Sequence, residues 1–360
     1  MALVLDLVRP NTGIEKYSKS IIKNFTDDAH VYFQSKHRQT SDKVKSQPHF
    51  LINTYQSGKD IAWKTFLVLP FWLMMAVYVR TVKKQNTLYV PYFNHWNLFF
   101  VILYRLMAGK VIYTVHDGKM HLGEHKKITQ MEMDLNIRFA NEIIVLSKHV
   151  EQEINPALLK NKPVYIIPHG IFEIETIVPL KSASSTPNLL FLGRISQYKG
   201  IEMLVDSINK VSPDIYSKLT IAGKSNYPLN IPQNSDKIEL LDKWLSEEEI
   251  GDLINSSDIM VFPYLEATQS GAITLAIAGC RPILCTNVGG ISEQISDTEA
   301  VFVKPNEQHL ADGLTEIILN TSRRHNMIQA LLERKQKLSW ETISSKIEDV
   351  ISLPPNELMN

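Results

Sequence analysis

Short apolar, β-branched runs alternate with helical patterns along nearly all 360 residues, and that alternation admits few folds. The runs cover residues 2–8, 88–92, 110–115, 142–146 and 164–167, then 188–192, 218–222, 238–240, 258–262, 282–286 and 300–303. Each lacks clean polar alternation, as strands covered on both faces do. Helical patterns at 13–24, 201–211, 246–255 and 308–319 lie between them. Strand–helix–strand alternation means parallel, doubly wound sheets. The series breaks at residues 174–186, a polar connector holding Pro179, Lys181 and the run Ser-Ala-Ser-Ser-Thr-Pro. The expected fold is α/β: two Rossmann-like domains, residues 1–175 and 186–338, facing each other across a cleft. Ligands of such sheets bind beyond the carboxyl ends of the strands. Residues 40–60 are polar and poorly patterned, and read as an exposed loop or insertion.

Lysine plus arginine equals aspartate plus glutamate, 38 against 38, so no global field recruits nucleic acid. Two cysteines are too few for a disulfide scaffold or a structural zinc site. The first residues carry Asp6 inside an apolar run and no basic flank, so they read as a strand rather than a signal peptide, and a cytoplasmic protein is expected. The neutral total hides an asymmetry: residues 1–180 hold 22 bases and 15 acids, the remainder 16 and 23. Between Asp60 and Asp117 there is no acid at all, against six bases (Lys64, Arg80, Lys83, Lys84, Arg105, Lys110) and 13 aromatic residues. The apolar run 66–79 is interrupted by Pro70 and is shorter than the ~20 residues a spanning helix needs. Two readings of residues 61–110 stay open: a face lying in a membrane surface, or a helix buried against a parallel sheet.

Two segments carry chemistry. Phe191-Leu192-Gly193-Arg194-Ile195-Ser196-Gln197-Tyr198-Lys199-Gly200 follows the first strand of the second domain and precedes a helix. It sets a guanidinium fork and an ammonium in a strand-end loop, a pair suited to a diphosphate, although two surface cations in a turn would look the same. It is neither a Walker loop nor a dinucleotide fingerprint. Phe262-Pro263-Tyr264-Leu265-Glu266-Ala267-Thr268-Gln269-Ser270-Gly271-Ala272-Ile273-Thr274 runs from a strand through an acid into a helix start, where free N–H groups favour an anion. Ser270 is also a natural N-cap. His169 sits at a strand end, with a structural role the commoner one for such a residue; Cys280 and Cys285 read as small buried hydrophobes.

Taken together, Gly-Arg-x4-Lys-Gly followed by Phe-Pro-Tyr-x-Glu-x-x-Gln-Ser-Gly resembles the retaining GT-B glycosyltransferases of family 4 (glycosyl transferases group 1). The resemblance extends to Asn11-Thr12-Gly13-Ile14-Glu15-Lys16, similar to that family's first glycine loop, and to Tyr113-Thr114-Val115-His116-Asp117. Leu146-Ser147, Ile167-Pro168-His169-Gly170 and Ser339-Trp340-Glu341 also find counterparts; the last opens a helix, about 340–360, that in the family packs back on the first domain.

The resemblance implies a metal-independent hexosyltransferase with no cofactor beyond its nucleotide-diphospho-sugar donor. The second domain would bind the donor and the first a glycan acceptor. The charge pattern, not the resemblance, motivates the nature of that acceptor: the acid-free, aromatic-rich stretch of the first domain suits one that is lipid-linked through a polyprenyl chain, as in polysaccharide biosynthesis at the inner face of the cell membrane. His116, Arg194, Lys199 and Glu266 would be the catalytic set. Gly13, Gln269, Ser270, Gly271 and Thr274 would join Arg194, Lys199 and Glu266 in holding the donor. The base would be read mainly by backbone near residues 240–246. The sequence departs from the family's Glu-x7-Glu pair by placing Thr274 where the second glutamate binds the ribose. A non-catalytic binding subunit of the same fold and a sugar-nucleotide epimerase of similar architecture are the alternatives.

Overall fold

A computed structural model describes residues 1–7, 13–36, 49–55, 58–119, 127–172, 174–229, 236–268 and 270–354. The chain divides into two α/β units, each built on one parallel sheet.

The N-terminal unit runs β1 (Ala2–Asp6), α1 (Gly13–Asn24), β2 (Val31–Ser35), β3 (His49–Ile52), α2 (Gly58–Leu67), α3 (Leu69–Thr81), β4 (Thr87–Val90), α4 (Asn97–Leu106), β5 (Lys110–Val115), α5 (Lys127–Phe139), β6 (Glu142–Val145), α6 (Lys148–Glu153), α7 (Pro156–Leu159) and β7 (Val164–Ile166). Its sheet order is β3-β2-β1-β4-β5-β6-β7, every pair parallel. β1, β4, β5 and β6 are buried along their whole length, which explains their unbroken apolar composition.

The C-terminal unit runs β8 (Leu189–Leu192), α8 (Ile201–Ile208), β9 (Leu219–Ala222), β10 (Ile238–Leu241), α9 (Glu247–Asn255), β11 (Ile259–Phe262), α10 (Gly271–Ala278), β12 (Ile283–Thr286), α11 (Ile291–Gln294), β13 (Ala300–Val303), α12 (Glu307–Leu319) and α13 (Thr321–Lys337). Its order is β10-β9-β8-β11-β12-β13, again all parallel. The last helix, α14 (Trp340–Ser352), returns to the N-terminal unit and packs on α1. There Glu348 accepts hydrogen bonds from the backbone N–H groups of Thr26 and Asp27, and Ser344 donates to the Ile21 carbonyl.

The polar connector belongs wholly to the C-terminal unit, which begins at His169. Asn255 donates to the Thr176 carbonyl and accepts from Val178 N–H, and the Leu180 N–H reaches the Gly279 carbonyl. The segment expected to be an exposed loop also needs correction. It carries β3 and the start of α2, and β2 upstream went unread because its buried end is polar. Gln34 donates to Asp6 Oδ2 at 3.0 Å, and the Ser35 and Thr54 hydroxyls lie 3.0 Å apart.

Pro70 breaks the apolar run into α2 and α3, which bend by 46°. Among the described residues no single helix is long and apolar enough to cross a membrane, although this bent pair passes that test together. Leu69, Ala76 and Val79 face the core, whereas Phe66, Leu67, Phe71 and Met74 point outward, Phe66 with 79% of its surface exposed. The basic stretch is less one-sided than its composition. Lys64 is buried and pairs with Asp60 at 3.0 Å; Lys110 is buried and pairs with Glu142 at 3.1 Å. Arg80 donates to Asn86 Oδ1 and the Met107 carbonyl. Asp60 bounds the acid-free stretch and Glu142 comes from the next strand, β6, so packing accounts for three of the six bases. Lys83 and Lys84 remain exposed.

Candidate active site

Strand order in the C-terminal sheet reverses between β8 and β11, so the loops after these strands open side by side at the carboxyl edge. These are the two segments singled out by sequence, residues 193–200 and 263–270. Three contacts knit them together. The Leu265 N–H donates to the Tyr198 carbonyl at 2.8 Å. Gly200 adopts φ +66°, and a Cβ there would lie 2.1 Å from the Pro263 carbonyl oxygen. The Lys199 ammonium stands 3.7 Å from the centroid of the Tyr264 ring, a cation–π contact that holds it over the second loop.

Arg194 is exposed between anchored neighbours: Ile195 is fully buried and exchanges backbone bonds with Lys224 and Asn226. Its guanidinium therefore projects from a fixed stretch of backbone. Glu266 is exposed at the end of β11, ahead of the buried Ala267 and Thr268. Arg194, Lys199 and Glu266 thus belong to one pair of linked loops, with two cations and one carboxylate presented by a rigid sheet edge.

Ser270 is placed differently from its expected role. Its N–H donates to Gln294 Oε1 at 3.0 Å, and Gln294 Nε2 donates back to its carbonyl at 2.9 Å. Its hydroxyl lies 2.8 Å from that of Tyr264, and it makes no side-chain cap on α10 although it occupies the N-cap position. A buried Ser270, with its N–H bonded to Gln294 and its hydroxyl to Tyr264, fixes the loop. The N–H groups without an intrahelical partner begin with Gly271, the first residue of α10. A Cβ at Gly271 would come within 2.9 Å of the Phe172 ring, which accounts for the glycine.

Thr274 also departs from expectation. It is 1% exposed, donates to the Gly271 carbonyl at 2.7 Å and accepts from Phe172 N–H at 3.3 Å. Its hydroxyl ties α10 to Phe172, just ahead of the connector, and is already engaged both as donor and as acceptor. Gln269 lies outside the described residues. So do residues 11–12 and the surroundings of Gly13, which opens α1.

In the N-terminal unit His116 follows β5. Its ring is sandwiched edge-on by Tyr17 at 4.5 Å and Tyr92 at 4.8 Å, and Nε2–H donates to the Pro91 carbonyl at 3.0 Å. Burial pushes its pKa down to about 4, against the weaker opposing pull of Asp117 and the Pro91 bond. The ring is therefore neutral at physiological pH, a hydrogen-bonding group rather than a cation.

His169 is buried; Nδ1–H donates to the Gly170 carbonyl at 2.6 Å and the ring packs on Phe172. Burial raises the thiol pKa values of Cys280 and Cys285. Two supporting residues escaped the sequence reading. Tyr264 stood inside a quoted motif without a role, and Gln294 had no local signal, since only the fold brings it to Ser270.

Residues 186–320 match the family model "Glycosyl transferases group 1". The gpi3 subunit of phosphatidylinositol N-acetylglucosaminyltransferase from Schizosaccharomyces pombe is 23% identical over 68% of this chain and 56% of its own length. An uncharacterised glycosyltransferase of Methanocaldococcus jannaschii is 24% identical over 66% of each chain. The chain thus spans a little over half the length of the first curated relatives it matches. Among solved structures, Anabaena HepE in complex with UDP superposes with TM-score 0.73 at 17% identity, covering 98% of this chain and 100% of that one. Sucrose-phosphate synthase from Thermosynechococcus elongatus gives 0.71 at 15% identity, with 97% of both covered. The two-domain α/β fold is the one shared by GT-B glycosyltransferases.

Proposed function

We propose that this protein is a metal-independent, retaining glycosyltransferase that moves a hexosyl group from a nucleotide-diphospho-sugar to a lipid-linked glycan acceptor. One observation carries the donor assignment. Arg194, Lys199 and Glu266 sit on two loops bonded to each other at the switch point of the C-terminal sheet. Two cations held in place neutralise a departing diphosphate without reorganising at the moment of reaction, which is where electrostatic catalysis gains most. They supply the charge a metal ion supplies elsewhere. Gly271 and the start of α10 add N–H donors, and Glu266 accepts hydrogen bonds from the donor sugar.

In the proposed step the C1–O bond to the donor phosphate breaks and the acceptor oxygen bonds to C1 on the same face. The acceptor's proton passes to the departing phosphate oxygen, so no side-chain base is needed. A neutral His116 fits a hydrogen-bonding role toward the reacting sugar. UDP in the Anabaena structure and the lipid substrate named for the fission-yeast relative support a nucleotide donor and a lipid-borne acceptor.

The outward face of α2 and α3 supports a membrane-surface location, proposed on the cytoplasmic side in polysaccharide assembly. Phe66, Leu67, Phe71 and Met74 form its apolar part, and Lys83 and Lys84 follow at its end. Such a face lies in the headgroup region with lysines toward anionic lipid. The test is incubation with UDP- and GDP-hexoses and vesicles carrying polyprenyl-phospho-sugars. Acceptor-dependent release of the nucleoside diphosphate, with an α-linked product from an α-linked donor, is expected. Inversion at C1 overturns retention, and isomerisation of the donor without acceptor identifies an epimerase.

A further inference from the structure

The N-terminal sheet has its own switch point, between β1 and β4, and the loop after β4 lies there. Two buried asparagines fix that loop. Asn94 donates to the Leu7 carbonyl at the end of β1 at 2.8 Å and accepts from Trp96 N–H at 2.9 Å. Asn97 donates to the Tyr92 carbonyl at 2.6 Å. Between them the loop presents His95. Its Nδ1 lies 2.5 Å from Glu132 Oε2 on α5, and its backbone N–H donates to the Tyr55 hydroxyl at 3.2 Å. The Phe93 and Tyr55 rings flank the imidazole at 5.3 and 5.8 Å.

A carboxylate only accepts, so Glu132 holds a proton on Nδ1, and in the neutral ring this leaves Nε2 as the hydrogen-bond acceptor. Nε2 has no partner among the described residues, and the side chain is 31% exposed. This is an oriented acceptor atom with aromatic walls, at the place where sheets of this type bind ligands, and the glycosyl-transfer chemistry above leaves it unused.

We propose that the His95–Glu132 pair binds a hydroxyl of a neutral polyol, a sugar or cyclitol, which, on the glycosyltransferase reading, is the acceptor. The adjacent carboxylate disfavours an anion, and the flanking rings suit the C–H face of a polyol. Trp96 donates from Nε1 to Thr65 Oγ1 on α2 at 2.9 Å. The loop is thus tied to the helix that carries Phe66 and Leu67 outward, which suits the headgroup of an amphiphile. His95 is a substrate-binding residue, and Glu132 acts through it as a positioning residue.

The test uses the full chain with labelled histidine side-chain nitrogens, with UDP or GDP present, and His95→Gln to assign the resonance. Methyl β-glucopyranoside, myo-inositol and inorganic phosphate are the probes. The His95 Nε2 signal is expected to be that of the Nδ1–H tautomer and to move saturably with at least one polyol and not with phosphate. Glu132→Ala should raise the half-saturating polyol concentration about tenfold, the size of a hydrogen bond to a charged partner, while Glu132→Gln, whose amide oxygen still accepts from Nδ1–H, keeps most of the response. A signal unmoved by both polyols, or moved by phosphate alike, overturns the proposal. Nucleotide binding measured on the same samples separates the two failures. A chain that binds nucleotide but shows no His95 response loses only this inference; one that binds no nucleotide loses the donor reading, whatever His95 does.

Discussion

The ammonium of Lys199 stands 3.7 Å from the centre of the Tyr264 ring, so a cation from the loop after β8 rests on an aromatic face from the loop after β11. Tyr264 is itself held at its hydroxyl by Ser270 and at its carbonyl by Thr286. The charge proposed to meet the donor diphosphate is therefore oriented by groups buried behind it. Nucleotide affinity should respond to residues behind Arg194 and Lys199 as well as to those two.

Gly200→Ala tests the loop junction. It forces a side chain into a left-handed conformation and toward the Pro263 carbonyl. Backbone strain of this kind costs about 1–3 kcal/mol. The expected result is a lower Tm and weaker nucleotide binding together, measured by thermal melts with and without ligand. An unchanged ligand-induced shift in Tm would separate the junction from the site.

Gln294→Leu removes both bonds to the Ser270 backbone and leaves a buried N–H and carbonyl without partners. Each such group costs about 1–3 kcal/mol. Denaturant titration should show that loss, and calorimetry should show reduced nucleotide affinity. Thr274→Val should likewise lower stability, by about 1 kcal/mol, without a specific loss of ribose recognition: binding of the ribo- and 2′-deoxy-nucleotides should fall in equal proportion.

His116 sets a pH dependence. Its folded pKa, about 4, lies below the ordinary histidine value of 6.5, so the unfolded chain binds more protons between those values. Its contribution is complete above pH 6.5 and is lost as pH falls toward 4, a loss on the order of 1–3 kcal/mol. His30, also lowered by burial, acts with the same sign. Urea unfolding at pH 7.5 and pH 5 should show wild type losing more stability than His116→Gln. Equal losses would contradict the assignment.

Leu67, Phe71 and Met74 replaced together by serine should abolish most co-sedimentation with anionic vesicles, since each buried apolar side chain is worth about 1.5–3 kcal/mol. Lys83→Gln with Lys84→Gln should weaken it less, and only at low salt. Replacing Arg80 should instead destabilise the fold, because its guanidinium is bonded to Asn86 and Met107. Undiminished sedimentation of the serine variant would remove the membrane-surface reading.

The regular part of this molecule was readable because fully covered parallel strands need continuous apolar runs. β5 at Lys110–Val115 and β13 at Ala300–Val303 coincide with the runs read from sequence. β2 was hidden by Gln34 and Ser35, whose burial depends on partners at Asp6 and Thr54. The same physics decided the site. Arg194, Lys199 and Glu266 were visible because charged residues at strand ends stand out. The engagement of Ser270 by Gln294 was invisible, because 24 residues and one helix separate them in the chain. The acid-free stretch is less one-sided in the fold than in the chain: Lys64 pairs with Asp60 at its boundary and Lys110 with Glu142 on the neighbouring strand β6.

Calorimetric titration of UDP, GDP and ADP into wild type and Arg194→Ala, with chelator present, tests the donor assignment most directly. The account predicts saturable binding of one nucleotide by wild type without metal, and its loss in the variant. Binding of none of the three to wild type, or equal binding to both proteins, would contradict it.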